Sequence, residues 1–167
     1  TGATTAAANK GQPFPWNGNY TNASSVSTVM VAPNADAGLH QLYADTTSTF
    51  VTTPYGPARY CGISSAQDFT VDPNFLSYTP QTIKITAVVR ADPAGNGAGF
   101  NLKYEGVRGW QTVSSGWYSI PGSSQWSTAT WTITDPQFVG KWAYNFTFDS
   151  DSTGHSKYYI QSVTVSK

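Results

Sequence analysis

The sequence predicts an all-β chain folded as a two-sheet antiparallel β-sandwich of jelly-roll type, and three observations predict it. Short runs alternate apolar and polar side chains with a period of two, clusters of Gly, Pro, Asn and Asp separate those runs, and no stretch carries the period of an amphipathic helix. So many short strands, each with one apolar face, need two packed sheets to bury those faces.

The first strand is expected over 26–32, rich in β-branched residues, and 39–44 and 48–52 follow it. Pro54-Tyr55-Gly56-Pro57 turns the chain into 58–63. One helical turn is expected within 68–78, because Asp72 caps a turn whose first position suits Pro73. In 82–90, Ile83, Ile85, Ala87 and Val89 oppose Lys84, Thr86, Val88 and Arg90, and in 99–105, Phe100, Leu102 and Tyr104 oppose Asn101, Lys103 and Glu105. The run 116–120 ends at Pro121-Gly122, and 128–134 places Trp131 among threonines. The run 141–148 sets Trp142, Tyr144, Phe146 and Phe148 on one face, expected in the core, and 158–165 closes the chain. The length fits one domain spanning 1–167, with an irregular segment over 1–20.

Composition narrows the function. Six Trp, ten Tyr and eight Phe stand beside only 11% charged residues, and nine Lys and Arg balance nine Asp and Glu. Without a net field, nucleic acid is not an expected partner, and no run approaches the length of a membrane span. Flat rings with few charges suit stacking on neutral sugars. The small-residue run 1–8 reads as a processed end. Together with the triplets Asn19-Tyr20-Thr21, Asn22-Ala23-Ser24 and Asn145-Phe146-Thr147, it agrees with a secreted, extracellular protein. The lone Cys61 is read as a buried thiol.

Rings outside clean core alternation are the candidate sugar platforms. Trp110 and Trp117 bracket the polar stretch 111–116, Trp126 follows Pro121-Gly122, and Trp16 sits in a Pro- and Gly-rich segment. Trp110, Trp117 and Trp126 are the expected stacking residues. Arg59, Tyr60, His40, Gln41, Asn101, Lys103 and Glu105 are the expected hydrogen-bonding partners for hydroxyls.

Asp149-Ser150-Asp151-Ser152-Thr153-Gly154 resembles the opening of a calcium loop, but the twelfth position is Ile160, which offers no carboxylate. One structural calcium held by Asp149, Asp151 and Asp36 is the expectation weighed against a plain polar turn. Glycoside hydrolysis would pair Glu105 with an aspartate, and no motif names which. His40, Tyr43, Arg59 and Tyr60 supply the residue types of a polysaccharide lyase, with few basic residues to line a cleft for an acidic polymer. A structural or adhesion sandwich without glycan affinity is the third class.

Six segments carry a resemblance: 37–45 around Leu39-His40-Gln41-Leu42-Tyr43, 55–62 around Arg59-Tyr60-Cys61, 99–105, 116–122, 131–135 and the closing 158–165 with Ser162-Val163-Thr164-Val165. Together they resemble the β-sandwich carbohydrate-binding modules attached to secreted polysaccharide-degrading enzymes. The resemblance implies noncatalytic binding of a polysaccharide or oligosaccharide, a catalytic domain as a tethered partner, and often a structural calcium.

Overall fold

The computed structural model describes residues 16, 18–31, 34–76, 80–95, 97–151 and 155–167. In chain order the elements are β1 (Ser25–Val29), β2 (Ala35–Ala37), β3 (Leu39–Gln41), α1 (Ala44–Thr47), β4 (Thr49–Thr53), β5 (Gly56–Tyr60), β6 (Ala66–Val71), β7 (Ile83–Ala91), β8 (Gly99–Gly106), β9 (Gly109–Thr112), β10 (Tyr118–Ser119), β11 (Ser127–Ile133), β12 (Phe146–Asp149) and β13 (Tyr158–Ser166). Every pairing between them is antiparallel.

They form the two sheets that the alternation requires. The first runs β11-β7-β13-β1-β2, with β5 also on β13 and β4 on β5. The second runs β10-β8-β12-β6-β3, with β9 on β8. A register shift between Ile160 and Ser162 interrupts β13 opposite β7, at the changeover of its other edge from β5 to β1.

The inward faces interlock through aromatic rings. Phe100 stacks on Phe148 at 4.4 Å between centroids, and Phe69 stacks on Phe146 at 5.0 Å, all from the second sheet. Trp131 and Tyr158 of the first sheet meet Phe100 at 5.8 and 5.4 Å. Ile83, Ile85, Ala87 and Val89 line the opposite wall, all buried. Truncating one of these phenylalanines to alanine would cost about 3–5 kcal/mol, since the neighbouring rings cannot collapse into the gap.

Several boundaries differ from the alternation. Strand 39–44 stops at Gln41, because Tyr43 takes a left-handed φ of 54° and starts α1. The turn expected in 68–78 is present in part: Asp72 accepts from the backbone N–H of Phe75 and Leu76, and its side chain caps Asn74 at 2.8 Å. Residues 77–79 lie outside the described residues, as do 1–15 of the N-terminal segment. The three strands not anticipated are β2, β6 and β9.

The largest correction concerns 141–148. Only Phe146–Asp149 is strand. Lys141 to Asn145 instead form a turn in which Ala143 N–H donates to Gly140 O, with Ala143 at a φ of 76°. That left-handed step breaks the alternation, so Phe146 and Phe148 enter the core while Trp142 and Tyr144 remain half-buried outside it.

Candidate functional site

The outward face of the second sheet collects the polar and aromatic side chains. On β8, Phe100 and Leu102 point inward, so Gly99, Asn101, Lys103 and Glu105 point outward. Pairing with β9 sets Trp110 opposite Glu105 and Thr112 opposite Lys103. Pairing with β12 sets Asp149 opposite Asn101 and Thr147 opposite Lys103, and β6 adds Asp68 opposite Thr147.

At one end of this face three half-buried rings gather. Trp110 lies 5.3 Å from Trp142 and 5.2 Å from Tyr144, the latter pair edge-on. Burial first, then the carboxylates of Asp68 and Asp149, push the Tyr144 phenol up. At the other end the ring of Trp117 packs on Gly99, where a Cβ would lie 3.0 Å from it, and meets His155 edge-on at 5.9 Å. Gly99 therefore has to be glycine for Trp117 to lie there, since the backbone carbonyl of Tyr118 also occupies that space.

Glu105 is corrected from ligand contact to scaffold. It is 1% exposed, and its carboxylate accepts from the backbone N–H groups of Val139, Gly140 and Lys141 and from Asn145 Nδ2, at 3.0, 3.0, 2.6 and 2.9 Å. Three of the donors converge on Oε2 and the fourth meets Oε1. The segment it pins carries Trp142 and Tyr144, so the glutamate acts on the platform through the loop.

Lys103 and Asn101 remain half-buried and central. Lys103 Nζ lies 2.9 Å from Asp149 Oδ2 and also binds Asp151 Oδ1, while Asn101 donates to Asp151 Oδ2 at 2.7 Å. The hydrogen bond from Lys103 holds the Asp151 carboxyl below the usual carboxylate range. Burial pushes the Asp68 carboxyl up.

The expected calcium set does not fit this arrangement. Asp149 and Asp151 share a lysine ammonium, which stands where a cation bridging the two carboxylates would have to lie. Asp36 lies on β2, accepting from Thr28 Oγ1 at 2.6 Å and meeting His40 Nδ1 at 2.7 Å. Among the described residues no group of three or more His, Cys, Asp or Glu is placed to hold a metal ion. Ser152, Thr153 and Gly154 of the loop lie outside the described residues.

The other expected contacts are dispersed. His40 and Arg59 line a separate hollow of about 670 Å³ with Asp36, Tyr43 and Asp45. There Arg59 is 6% exposed, with Nη1 held by Asp45 at 2.6 Å and Nε by Asn34 at 3.2 Å, so its charge is already paired. Gln41 faces inward, fully buried, donating to Gln67 at 2.7 Å, because β3 turns its odd positions to the core. Tyr60 and Trp126 lie on the outward face of the first sheet, around Arg90. Trp16 is buried.

The sequence thus brought Trp110, Trp117, Asn101 and Lys103 to one face and missed Trp142 and Tyr144. Their signal was present in two aromatic residues, Trp142 and Tyr144, closely following Gly140, a glycine with a φ of 70° that ends regular alternation.

No family model matches the chain, and no curated protein matches it. Among solved structures the chain is similar to a family 29 carbohydrate-binding module from Piromyces equi, with 12% identity, 86% of this chain and 92% of that one covered, and a TM-score of 0.48. It is similar to a point mutant of a second family 29 module in complex with mannohexaose, with 12% identity, coverage of 84% and 90%, and a TM-score of 0.45. It is also similar to part of a Clostridium thermocellum xylanase, a family 22 module joined to a family 10 glycoside hydrolase module and complexed with xylohexaose. There the identity is 14%, 78% of this chain and 26% of that one are covered, and the TM-score is 0.47.

Proposed function

We propose that the outward face of the second sheet binds a polysaccharide without cleaving it. Sugar rings stack on Trp110, Trp142 and Tyr144 at one end and on Trp117 at the other, and Asn101, Lys103 and Thr112 meet hydroxyls between them. The observation that carries this reading is the gathering of three half-buried rings on an otherwise polar sheet face, held there by a buried glutamate. Indole and phenol faces remove the C–H face of a pyranose from water, worth about 25 cal/mol per Å² of apolar surface. The polar strip between them selects among sugars by its fixed donors and acceptors.

From Gly99 to Glu105 the strip runs six residue steps, about 20 Å at about 3.3 Å per residue, long enough for several sugar units of one chain. A neutral, charge-balanced protein suits an uncharged polymer that no long-range field recruits. In this reading the protein acts outside the cell, tethered to a catalytic domain whose local concentration on the polymer it raises.

One observation favours a second reading, hydrolysis: Asp68, its carboxyl raised by burial, shares the face with Asp149, and a pair of carboxyl groups is what glycoside hydrolysis uses. Affinity electrophoresis in soluble mannan, xylan and mixed-linkage glucan, with pull-down on cellulose and chitin, tests the binding. Retention with no release of reducing ends supports the module. Free migration in every polymer overturns it, and reducing ends released by the protein but not by its Asp68→Asn variant establish the hydrolase instead.

A further inference from the structure

The first sheet carries a second cleft on the opposite side of the sandwich, of about 490 Å³, lined by Tyr55, Tyr60, Tyr159, Arg90, Pro93 and Thr53. Its chemistry differs from that of the platform. Arg90 is 3% exposed, and its guanidinium carbon lies 4.4 Å from the ring centroids of both Tyr55 and Tyr159 and 5.3 Å from that of Trp126. Tyr60 in turn meets Tyr159 at 5.1 Å. Trp126 Nε1 donates to the Tyr55 carbonyl at 2.8 Å and ties the β4–β5 turn over the arginine.

An arginine is always charged, and burying it favours a partner of opposite sign. Arg90 Nη1 donates to the Ser123 carbonyl at 3.0 Å, its Nε has no partner, and among the described residues no carboxylate forms an ion pair with it. The ring faces offset part of the cost of burial, while the N–H edge lacks an anion.

We propose that this cleft binds a single uronate unit of a glycan, its carboxylate on Arg90 and its ring against the tyrosine walls. The inference rests on the glycan-binding reading of the opposite face and adds the class of side group recognised. One cation in a chain with no net charge matches an isolated acid on an otherwise neutral polymer, not a uniformly acidic one. Two sites on opposite faces of one sandwich would let a single molecule hold the backbone on one side and a side group, or a second chain, on the other.

The test uses the full chain and three probes: xylan bearing glucuronic acid side groups, the same xylan after its carboxyl groups are reduced to alcohols, and unsubstituted xylan. The wild type is expected to bind the acidic form about tenfold more tightly, the contribution of one charge-assisted hydrogen-bonded pair, and to lose that preference as salt rises. Arg90→Gln should bring the two affinities together and leave the affinity for reduced xylan unchanged. Tyr55→Ala removes a wall of the cleft, so it should weaken both side-group forms and leave the affinity for unsubstituted xylan unchanged, whereas Trp110→Ala should weaken all three. Tyr55 is 43% exposed, so its variant decides the matter if Arg90→Gln fails to fold. Equal wild-type affinity for both forms, a preference that survives Arg90→Gln, or unchanged binding by Tyr55→Ala overturns the uronate site alone. No binding of either form, or of any polymer in the wider panel, overturns the glycan-binding reading itself.

Discussion

The carboxylate of Glu105 and the backbone N–H of Lys141 meet at 2.6 Å, across 36 residues of chain. With Val139, Gly140 and Asn145 on the same carboxylate, this contact fixes the turn that presents Trp142 and Tyr144 beside Trp110. Glu105→Gln keeps the shape and replaces one acceptor by a donor, so at least one N–H is left facing another donor. The expected loss is about 1–3 kcal/mol of stability, with a changed near-ultraviolet tryptophan spectrum and weaker glycan binding. Denaturant unfolding and affinity electrophoresis on the same sample check this. Weaker binding at unchanged stability would mean that the carboxylate touches sugar directly.

Alanine at Trp110 or Trp142 should weaken binding by about 1–3 kcal/mol, by analogy with base stacking on aromatic side chains. Both rings are half-buried against each other and not in the core, so the melting temperature should move little. Trp117→Ala should matter only for oligosaccharides long enough to span β8. Trp126→Ala should leave neutral glycans bound normally, because that ring lies on the other sheet. Calorimetric titration with a ladder of oligosaccharide lengths separates these outcomes.

These residues also mark how far the sequence could be read. Wherever a strand buries one face, period two is imposed by packing, and Ile83 to Val89 and Phe100 to Tyr104 were legible for that reason. Strands β2 and β9 are short and at sheet edges, so little apolar patterning records them. Trp142 and Tyr144 kept the numerical period of a strand, yet a left-handed φ at Ala143, a residue type that seldom adopts it, turned them out of the core. The role of Glu105 was invisible locally, because its partners lie 34 to 40 residues on. A polar face on β8 was readable, and which of its members face ligand was decided by what folds over it.

Lys103, shared by Asp149 and Asp151, gives an acid-sensitive hinge between β8 and the 149–151 turn. The hydrogen bond from Lys103 lowers the folded pKa of Asp151, so the pair contributes stability above the unfolded value, about 3.9, and loses it as pH falls through the lower folded value. Asp151 is 38% exposed, so the contribution is about 0–1 kcal/mol and shrinks with salt. Lys103→Met should therefore cost under about 1 kcal/mol at neutral pH and flatten the stability profile below about pH 4. Added calcium should leave the melting temperature of the wild type unchanged, because the Lys103 ammonium already occupies the space between the two carboxylates. Thermal unfolding across pH, with and without calcium, reads both effects.

Tyr104 contributes to the loss of stability at alkaline pH. Burial, and then the adjacent Asp135 that accepts its hydroxyl at 2.7 Å, push the phenol up to about 12. A group whose folded pKa exceeds its unfolded value, here about 10 for a phenol, contributes stability that is complete below the unfolded value. That stability drains away as pH climbs from about 10 towards about 12. Gln111 Nε2 also donates to Asp135, at 3.0 Å, so Tyr104→Phe strips Asp135 of one donor and leaves the other. The variant should lose about 1–3 kcal/mol at neutral pH, where the wild type holds a hydrogen bond to a charged acceptor. It should then show a shallower decline than the wild type above about pH 10, since the group whose ionisation opposes folding is gone. Denaturation midpoints from neutral to strongly alkaline pH measure the two slopes. Parallel curves would assign the alkaline sensitivity to another buried group, with the Cys61 thiol, pushed up by burial, and the Tyr158 phenol, fully buried and raised well above its ordinary value, next in line.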